Sequence, residues 1–389
     1  MTVITAALRT PIGKFGGAMS SISATDMAAQ LISALIEQSN CPAQEVDEVI
    51  LGNVLQAGQG QGPARQAVIN AGLPNTVPAT SINMLCGSGL KAVSIANSMI
   101  NSGQADVVIA GGMENMSASP FLLPEGRWGK KLGDSKLIDS LLNDGLIDAF
   151  DRNHMAMTAE KLAEELQISR KEQDEFAARS QRKAERAILD RRFDDEIIPV
   201  EVNENGHSRL INRDEYPRSG VTAKQLAELP AAFTNNGTVT AGNASGINDG
   251  AAVLLLMSDE KAEKLKVHYK AEILSTASTG LDPAYMGLGP VSATNKALAK
   301  ASINLNQIEL IELNEAFAAQ AIAACRQLDL PDNIVNVNGG AIALGHPIGA
   351  SGARILVTLY HEMKKRNSSL GLASLCIGGG MGEAVILKS

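Results

Sequence analysis

Apolar and polar residues follow one another along the chain with two spacings, one typical of helices and one typical of strands. Helical spacing predicts helices within 26–36, 87–100, 157–192, 294–301, 316–328 and 348–363. Compact apolar runs predict buried strands at 46–52, 105–112, 251–257, 271–275, 308–313, 334–337, 372–377 and 384–387. Because strands alternate with helices, we expect an α/β fold with a mainly parallel sheet.

The two ends of the chain repeat one plan. In each, an apolar strand runs into paired glycines, at Ala110-Gly-Gly112 and at Cys376-Ile-Gly-Gly379. In each, a short step between two glycines opens a helix, at Gly87-Ser-Gly89 and at Gly349-Ala-Ser-Gly352. We infer an ancient duplication.

A large insertion separates the two repeats. Its composition changes near Ser117, where prolines and the stretch Arg127–Lys131 predict a loop, and a charged helical segment follows with the capping-box signature Ser169-Arg-Lys-Glu172. With 389 residues, the chain is too long for one ordinary core. We therefore expect residues 1–117 with 249–268 to form the first half, residues 118–248 an inserted loop domain, and residues 269–389 the second half.

Composition and charge narrow the classes of function. The net charge is −8 and aromatic residues make up 3%, which disfavours a nucleic-acid surface. No apolar run is long enough to span a bilayer, and the first residues show no secretory signal, so we expect a cytoplasmic protein. The four cysteines are scattered, which fits free thiols. The P-loop, zinc-protease and nucleophile-elbow motifs are missing from the sequence.

Two cysteines and one histidine stand beside glycines where apolar stretches end. Cys86 precedes Gly-Ser-Gly and a helix, so we expect the helix dipole to lower the pKa of its thiol. His346 lies between Gly345 and Pro347, at the end of an expected strand, and Cys376 precedes Ile-Gly-Gly-Gly. These residues favour covalent acyl chemistry with an oxyanion hole. The alternatives are a buried structural cysteine at 86 and a turn-capping histidine at 346.

Two further positions carry weaker signals. Asn314 follows the strand at 308–313, where it could hold a water, orient an imidazole or cap the next helix, and capping is compatible with the other roles. His154 stands just before a helix and could line a pocket.

Taken together, these motifs resemble the thiolase family over nearly the whole chain. The segments that carry the resemblance are Arg9-Thr-Pro-Ile-Gly13, Asn83-Met-Leu-Cys-Gly-Ser-Gly-Leu90, Gly111-Gly-Met-Glu-Asn-Met-Ser117, Thr240-Ala-Gly-Asn-Ala-Ser-Gly246, Asn314-Glu-Ala-Phe317, Gly345-His-Pro-Ile-Gly-Ala-Ser-Gly352 and Cys376-Ile-Gly-Gly-Gly-Met-Gly382. Segments around 127–131, 144–155 and 282–287 look like the biosynthetic branch. The resemblance implies two duplicated halves in five αβαβα layers.

The resemblance also implies catalytic roles. Cys86 would carry an acetyl group, His346 would deprotonate Cys86, and Asn314 would hold a water in the first oxyanion hole. Cys376 would move the α-proton of a second acetyl-CoA, and the N–H groups of Cys86 and Gly378 would form the second oxyanion hole. The implied reaction is the reversible, ping-pong Claisen condensation of two acetyl-CoA into acetoacetyl-CoA and CoA.

Substrate contacts are implied in the same way. Arg218, Ser245 and Phe317 match positions near CoA, and His154, Met155 and Met286 match the acyl pocket. Ala156 and Gln225 depart from the family pattern, which expects glycine and serine there. The partners are then acetyl-CoA, acetoacetyl-CoA and CoA, without a cofactor, a metal, a nucleic acid or a membrane. The Arg127–Lys131 stretch resembles a tetramerisation loop, so we expect a homotetramer. The family resemblance also implies a role in lipid metabolism.

Two alternatives stay open. A degradative 3-ketoacyl-CoA thiolase would share the residues but accept longer chains. A catalytically idle, thiolase-shaped binding subunit would share the fold alone, although the intact set of Cys86, Asn314, His346 and Cys376 argues against it.

Overall fold

The computed structural model describes residues 1–204, 206–268 and 271–389, except the side chain of residue 204. The predicted start of the second half, at residue 269, lies outside the described residues.

Within these ranges the chain forms fourteen strands, numbered in chain order. They are β1 Thr2–Arg9, β2 Gly13–Lys14, β3 Glu48–Gly52, β4 Ala79–Ile82, β5 Val107–Asn115, β6 Phe121–Leu122, β7 Ile138–Asp139, β8 Val200–Glu204, β9 His207–Ile211, β10 Asn248–Ser258, β11 Ala271–Gly280, β12 Leu310–Leu313, β13 Leu370–Ile377 and β14 Met381–Lys388.

The same ranges hold eleven α-helices. They are α1 Ala24–Ser39, α2 Pro63–Asn70, α3 Ser88–Asn101, α4 Ala156–Glu165, α5 Arg170–Leu189, α6 Ala223–Ala227, α7 Asp259–Leu265, α8 Gly289–Ala301, α9 Ala318–Gln327, α10 Ala341–Leu344 and α11 Ile348–Arg366. Short 3₁₀ turns lie at Ala43–Glu45, Pro283–Leu288 and Leu305–Gln307, and a π-helix at Leu141–Leu146. The capping box predicted at Ser169 and Glu172 opens α5, as expected.

Ten strands form one sheet in the order β12-β13-β14-β11-β1-β10-β5-β3-β4, with β2 paired to β10. The expectation of a mainly parallel sheet is wrong. Pairing is parallel in β12–β13, β3–β4 and β3–β5, whereas β1–β10, β10–β5, β11–β14 and β13–β14 are antiparallel. Apolar runs buried on both faces read alike in both kinds of sheet, so the sequence pattern did not separate them.

Helices α3 and α11 lie side by side at the centre of the molecule. Each packs against strands of the first half and of the second half. On the outer faces, α1 and α2 cover the first half, and α8 covers the second. The strands of each half have two apolar faces, and helices cover each of these faces. The layers therefore follow the order αβαβα that the resemblance implied.

Small residues allow the two central helices to touch. A Cβ atom on Gly89 would lie 2.8 Å from the backbone nitrogen of Ala353 and 3.1 Å from the carbonyl oxygen of Gly349. A Cβ atom on Gly352 would lie 2.5 Å from the backbone nitrogen of Leu90. Because these contacts lie within the first two turns of each helix, the residues that precede the two helices are brought together.

One predicted strand is wrong. Residues 334–337 form a turn with a single parallel bridge from Val335 to Ile311. Asn336 has a left-handed backbone, with φ 43°. Its side chain accepts from the N–H of Leu313 at 2.8 Å and donates to the carbonyl of Leu313 at 2.8 Å. An amide side chain thus makes the bonds that a strand backbone would have made.

Substituting Gly352 by alanine should destabilise the fold although alanine favours helices. The methyl group would collide with backbone atoms of Leu90, and overpacking of this kind costs about 1–3 kcal/mol. We expect the urea midpoint, followed by circular dichroism, to fall. Gly280→Ala is the control, because its nearest atom would lie 3.9 Å away. Equal midpoints for both variants would contradict the tight helix contact.

Candidate active site

Cys86 lies in a tight loop between β4 and α3. Leu85 has a left-handed backbone with φ 48°, which is rare for a bulky residue and stores strain. The hydroxyl of Ser88 accepts from the N–H of Met84 at 2.8 Å and lies 2.6 Å from the carbonyl of Leu85, to which it donates. The side chain of Asn83 accepts from the N–H of Leu85 at 2.9 Å. These bonds hold the loop that presents the thiol.

The expected lowering of the pKa of Cys86 is wrong. Burial raises the pKa of the Cys86 thiol to about 11, and the N–H groups of Gly378 and of Cys86 itself oppose this without overcoming it. Desolvation of the thiolate therefore outweighs the helix dipole. The thiol is neutral at rest and needs a base to become a nucleophile.

Cys376 and Gly378 approach Cys86 from the second half. Cys376 is buried in β13, and burial followed by the charge of Cys86 raises the pKa of its thiol. A Cβ atom on Gly87 would lie 2.3 Å from the Cδ1 atom of Ile377. The glycines after 376 let this strand end reach the loop, and Gly379 and Gly380 have φ 77° and 79°.

His346 does not follow a strand, as the sequence suggested, but the short helix α10. The backbone turns at Gly345, with φ 109°, a conformation that glycine adopts readily, and a Cβ atom there would also collide with Asn248. The side chain of Asn248 accepts from the N–H of His346 at 2.8 Å and donates to the carbonyl of Gly13 at 2.9 Å. Asn248 thereby ties the histidine to the first half.

The imidazole of His346 is buried and asymmetric. Its Nδ1 atom lies 2.5 Å from the hydroxyl oxygen of Ser351, whereas its Nε2 atom has no hydrogen-bond partner. Burial, and then the charge of Arg354, lower the pKa of His346 to about 3. The imidazole is therefore neutral at rest, and Nε2 is the ring atom available to a substrate or a thiol.

Asn314 does not cap a helix, because α9 begins at Ala318 and its N-cap is Phe317. The backbone N–H of Asn314 donates to the carbonyl of Ser374 at 3.0 Å, which places it beside β13, two residues before Cys376. Its side chain is fully buried, and neither its oxygen nor its nitrogen has a partner. A buried amide of this kind requires a water or a ligand, since unpaired polar groups are costly.

Sequence reasoning missed Glu114. Its carboxylate is fully buried and accepts from the N–H groups of Val54 at 3.0 Å, Leu55 at 3.2 Å and Gly349 at 3.0 Å. Burial raises its pKa to about 7, and the hydrogen bonds oppose the rise. Glu114 holds the start of α11 against β5. The available signal was its place in Gly111-Gly-Met-Glu-Asn-Met-Ser117.

The residues expected to line an acyl pocket come together. Met155, Met286 and Phe317 share one apolar cluster with Cys376. A Cβ atom on Gly378 would lie 3.4 Å from the sulfur of Met155. Both methionines are therefore buried beside the thiol of Cys376, near the end of β13.

The remaining predicted contacts lie around this cluster. His154 stacks on Phe233 with ring centroids 4.4 Å apart, and Phe233 is a neighbour that the sequence did not indicate. The N–H of Ser245 donates to the carbonyl of Ala316 at 3.0 Å. Arg218 is exposed, and its guanidinium lies 5.6 Å from the ring of Tyr216, which packs on Gly246. A cation is thus available near Ser245.

The two departures from the family pattern have structural roles. Gln225 completes a capping box with Thr222 at the start of α6, with its amide oxygen accepting from the N–H of Thr222 at 2.9 Å. Ala156 is fully buried at the start of α4. Across the described ranges, no cluster of three histidine, cysteine or acidic side chains could hold a metal, and no helix could cross a membrane.

Both halves of the chain match a known family. Residues 2–260 match the family model described as "Thiolase, N-terminal domain", and residues 267–389 match "Thiolase, C-terminal domain".

Individual relatives align over almost their whole length. An acetyl-CoA acetyltransferase of Pseudomonas aeruginosa is 55% identical over 386 residues, covering 99% of this chain and 98% of that protein. A probable acetyl-CoA acyltransferase of Staphylococcus aureus is 52% identical over 387 residues, covering 99% and 98%. The crystal structure of the Bacillus anthracis acetyl-CoA acetyltransferase superposes with a TM-score of 0.98 at 44% identity, covering 100% of this chain and 98% of that one.

The raised pKa of Cys86 predicts how alkylation depends on pH. Iodoacetamide reacts with the thiolate, so the rate at Cys86 should still be rising above the ordinary thiol pKa of 9.0, because half-ionisation lies at about 11. The rate is measured by mass spectrometry of the Cys86 peptide, with the urea-unfolded chain as control. A plateau near neutral pH would instead reveal a thiolate stabilised by His346, and would contradict a neutral resting thiol.

Proposed function

The chain belongs to the thiolase family, and from this premise we propose that it catalyses the reversible Claisen condensation of two acetyl-CoA into acetoacetyl-CoA and CoA. The reaction is ping-pong and passes through an acetyl group on Cys86. The observation that carries this proposal is the meeting of Cys86, Cys376 and the Gly378 N–H where the two halves join.

The first half-reaction acylates Cys86. Nε2 of His346 takes the proton of the Cys86 thiol, and the thiolate attacks the thioester carbon of acetyl-CoA. A water on the unpartnered amide of Asn314, together with His346, stabilises the oxyanion. The C–S bond to CoA then breaks, and the departing thiolate takes the proton of Cys376. Acetyl-Cys86, free CoA, a Cys376 thiolate and a protonated His346 remain.

The second half-reaction forms the carbon–carbon bond. The Cys376 thiolate removes the α-proton of a second acetyl-CoA while the N–H groups of Cys86 and Gly378 bind the enolate oxygen. The enolate carbon attacks acetyl-Cys86, the C–S bond breaks, and the Cys86 thiolate recovers its proton from His346. The burial that raises the pKa of Cys376 makes its thiolate a strong base, which a weakly acidic C–H group requires.

We assign the remaining roles by the same reasoning. Residues 118–248 form the inserted domain that binds CoA, with Arg218 close to its phosphates, and residues 1–117 with 249–268 and residues 269–389 form the two halves. Trp128 in the Arg127–Lys131 loop and Leu132 directly after it are each 90% exposed, which supports burial of this loop in a homotetramer. The site of action is the cytoplasm, in lipid metabolism.

Mutation should distinguish the roles of the two thiols. After incubation with acetyl-CoA and proteolysis, mass spectrometry should find the acetyl group on the Cys86 peptide. Cys376→Ser should still acetylate Cys86, but it should exchange the α-protons of acetyl-CoA with deuterated water far more slowly, because the base is lost. Cys325→Ser is the matched control, since this cysteine lies in α9 outside the site. An acetyl group on Cys376, or normal exchange in Cys376→Ser, would refute the assignment.

The two methionines should limit the length of the acyl chain that the enzyme accepts. Met155 and Met286 are buried beside Cys376, so thiolysis should be fastest with acetoacetyl-CoA and should fall by roughly 10–200-fold per added methylene. Met286→Ala should accept longer chains because it removes side-chain volume. Initial rates across 3-ketoacyl-CoA lengths measure both effects. A flat wild-type profile would favour the degradative thiolase, and a destabilised Met286→Ala with unchanged selectivity would make this methionine a packing residue.

A further inference from the structure

The ring of His346 contacts one side chain whose role the mechanism has not used. The hydroxyl oxygen of Ser351, in the first turn of α11, lies 2.5 Å from Nδ1 of His346 and 2.9 Å from the carbonyl oxygen of Pro347. Ser351 and His346 are 1% and 5% exposed, so this arrangement is shielded from water.

The position of the hydroxyl hydrogen decides the state of the ring. Two oxygen atoms 2.9 Å apart repel each other unless a hydrogen lies between them, and the carbonyl of Pro347 can only accept. The hydrogen of Ser351 therefore points to Pro347, which leaves a lone pair of the hydroxyl oxygen facing Nδ1. A neutral imidazole must then carry its proton on Nδ1 and present an unprotonated Nε2.

We propose that Ser351 is a positioning residue that fixes the tautomer of His346, so that Nε2 is the base that receives the Cys86 proton. This inference rests on the proposed function, in which His346 is that base. The relay runs from Nδ1–H of His346 to the hydroxyl of Ser351 and from that hydroxyl to the carbonyl of Pro347. No covalent bond changes in it, and the relay holds in both the neutral and the protonated ring.

The relay differs from a catalytic triad in where it ends. In a serine protease triad a carboxylate accepts from the imidazole, and its charge also stabilises the protonated ring. Among the described residues, no carboxylate is hydrogen-bonded to His346, and the neighbouring charge is that of Arg354. Ser351 therefore orients the ring with a neutral dipole and adds no negative charge that would hold a second proton on the ring, which suits a base that must return its proton to Cys86.

The chain supplies a matched control for the test. The hydroxyl of Ser98, in α3, donates to the carbonyl of Ser94 at 2.9 Å, which is the same bond to the fourth preceding residue that Ser351 makes. No ring contacts the Ser98 hydroxyl within the described part of the chain. Ser98→Ala thus removes the helix bond alone, whereas Ser351→Ala removes the helix bond and the acceptor of Nδ1–H. In Ser351→Thr the hydroxyl is kept, and threonine in a helix can make the same bond.

The primary measurement reads the proton directly. Solid-state NMR of microcrystalline protein labelled with ¹⁵N-histidine distinguishes protonated from unprotonated ring nitrogens, and the His346 signals are assigned by their loss in His346→Asn. We expect a protonated Nδ1 in the wild type, in Ser98→Ala and in Ser351→Thr, and a population with protonated Nε2 in Ser351→Ala. This readout does not depend on turnover, so it stands even if the chain acts on another thioester.

The kinetic measurement tests the consequence. For acetoacetyl-CoA thiolysis, Ser351→Ala should lower kcat by roughly 10–100-fold, since general base catalysis contributes about 10²–10⁴-fold and part of it is lost. KM should change little, and Ser351→Thr and Ser98→Ala should resemble the wild type. A protonated Nε2 in the wild type, an unchanged tautomer in Ser351→Ala, or a shifted tautomer with unchanged kcat would each overturn the proposal. Absence of thiolysis in the wild type, with a protonated Nδ1, would count against the proposed function alone.

Discussion

The close contact between the two central helices is the constraint on which the site depends. Gly89 and Gly352 let α3 and α11 approach to backbone distance within their first two turns. Cys86 and His346 each stand two residues before one of these helices, so the contact brings a thiol and an imidazole from opposite halves into one region. Glu114 in β5 and Asn248 in β10 then fix this meeting, because their side chains accept from the backbone N–H groups of Gly349 and His346 in the second half.

Burial sets the chemistry once the residues have met. The pKa values of both thiols are raised and that of the imidazole is lowered, so every reacting group is uncharged at rest. A site of this kind holds no ion pair at rest, and in the proposed mechanism charge first arises when the proton of Cys86 moves to His346. The unpartnered side-chain atoms of Asn314 and the free Nε2 of His346 are the polar groups available to that transient charge.

The sequence predicted much of the fold because its signals are local. The apolar spacing in α11, the capping box before α5 and the glycines around Cys86 each act within one turn or one loop, so they could be read directly. The two thiols and the imidazole were singled out by the glycines beside them, whereas their separate roles and the five layers followed from the family resemblance. The mixed direction of the sheet is set by packing between distant segments, which apolar runs do not record.

The failures at single residues have the same origin. Asn336 makes side-chain hydrogen bonds where a strand was predicted. Asn314 does not cap a helix because α9 begins only at Ala318. The pKa of Cys86 rises because the folded chain buries its thiol, and no local motif reveals that burial. The ionisation state of Cys86 depends on burial in the folded chain, so its sequence motif did not indicate it.

The shared central layer also has a consequence for the order of biosynthesis. Helix α3 is made long before α11, which covers one of its faces. A nascent chain therefore carries an uncovered apolar helix until α11 has been made, and exposed surface of this kind promotes aggregation. Ribosome-associated chaperones are the natural protection for that interval, and a prematurely terminated chain would present the same uncovered surface to the cell's proteases.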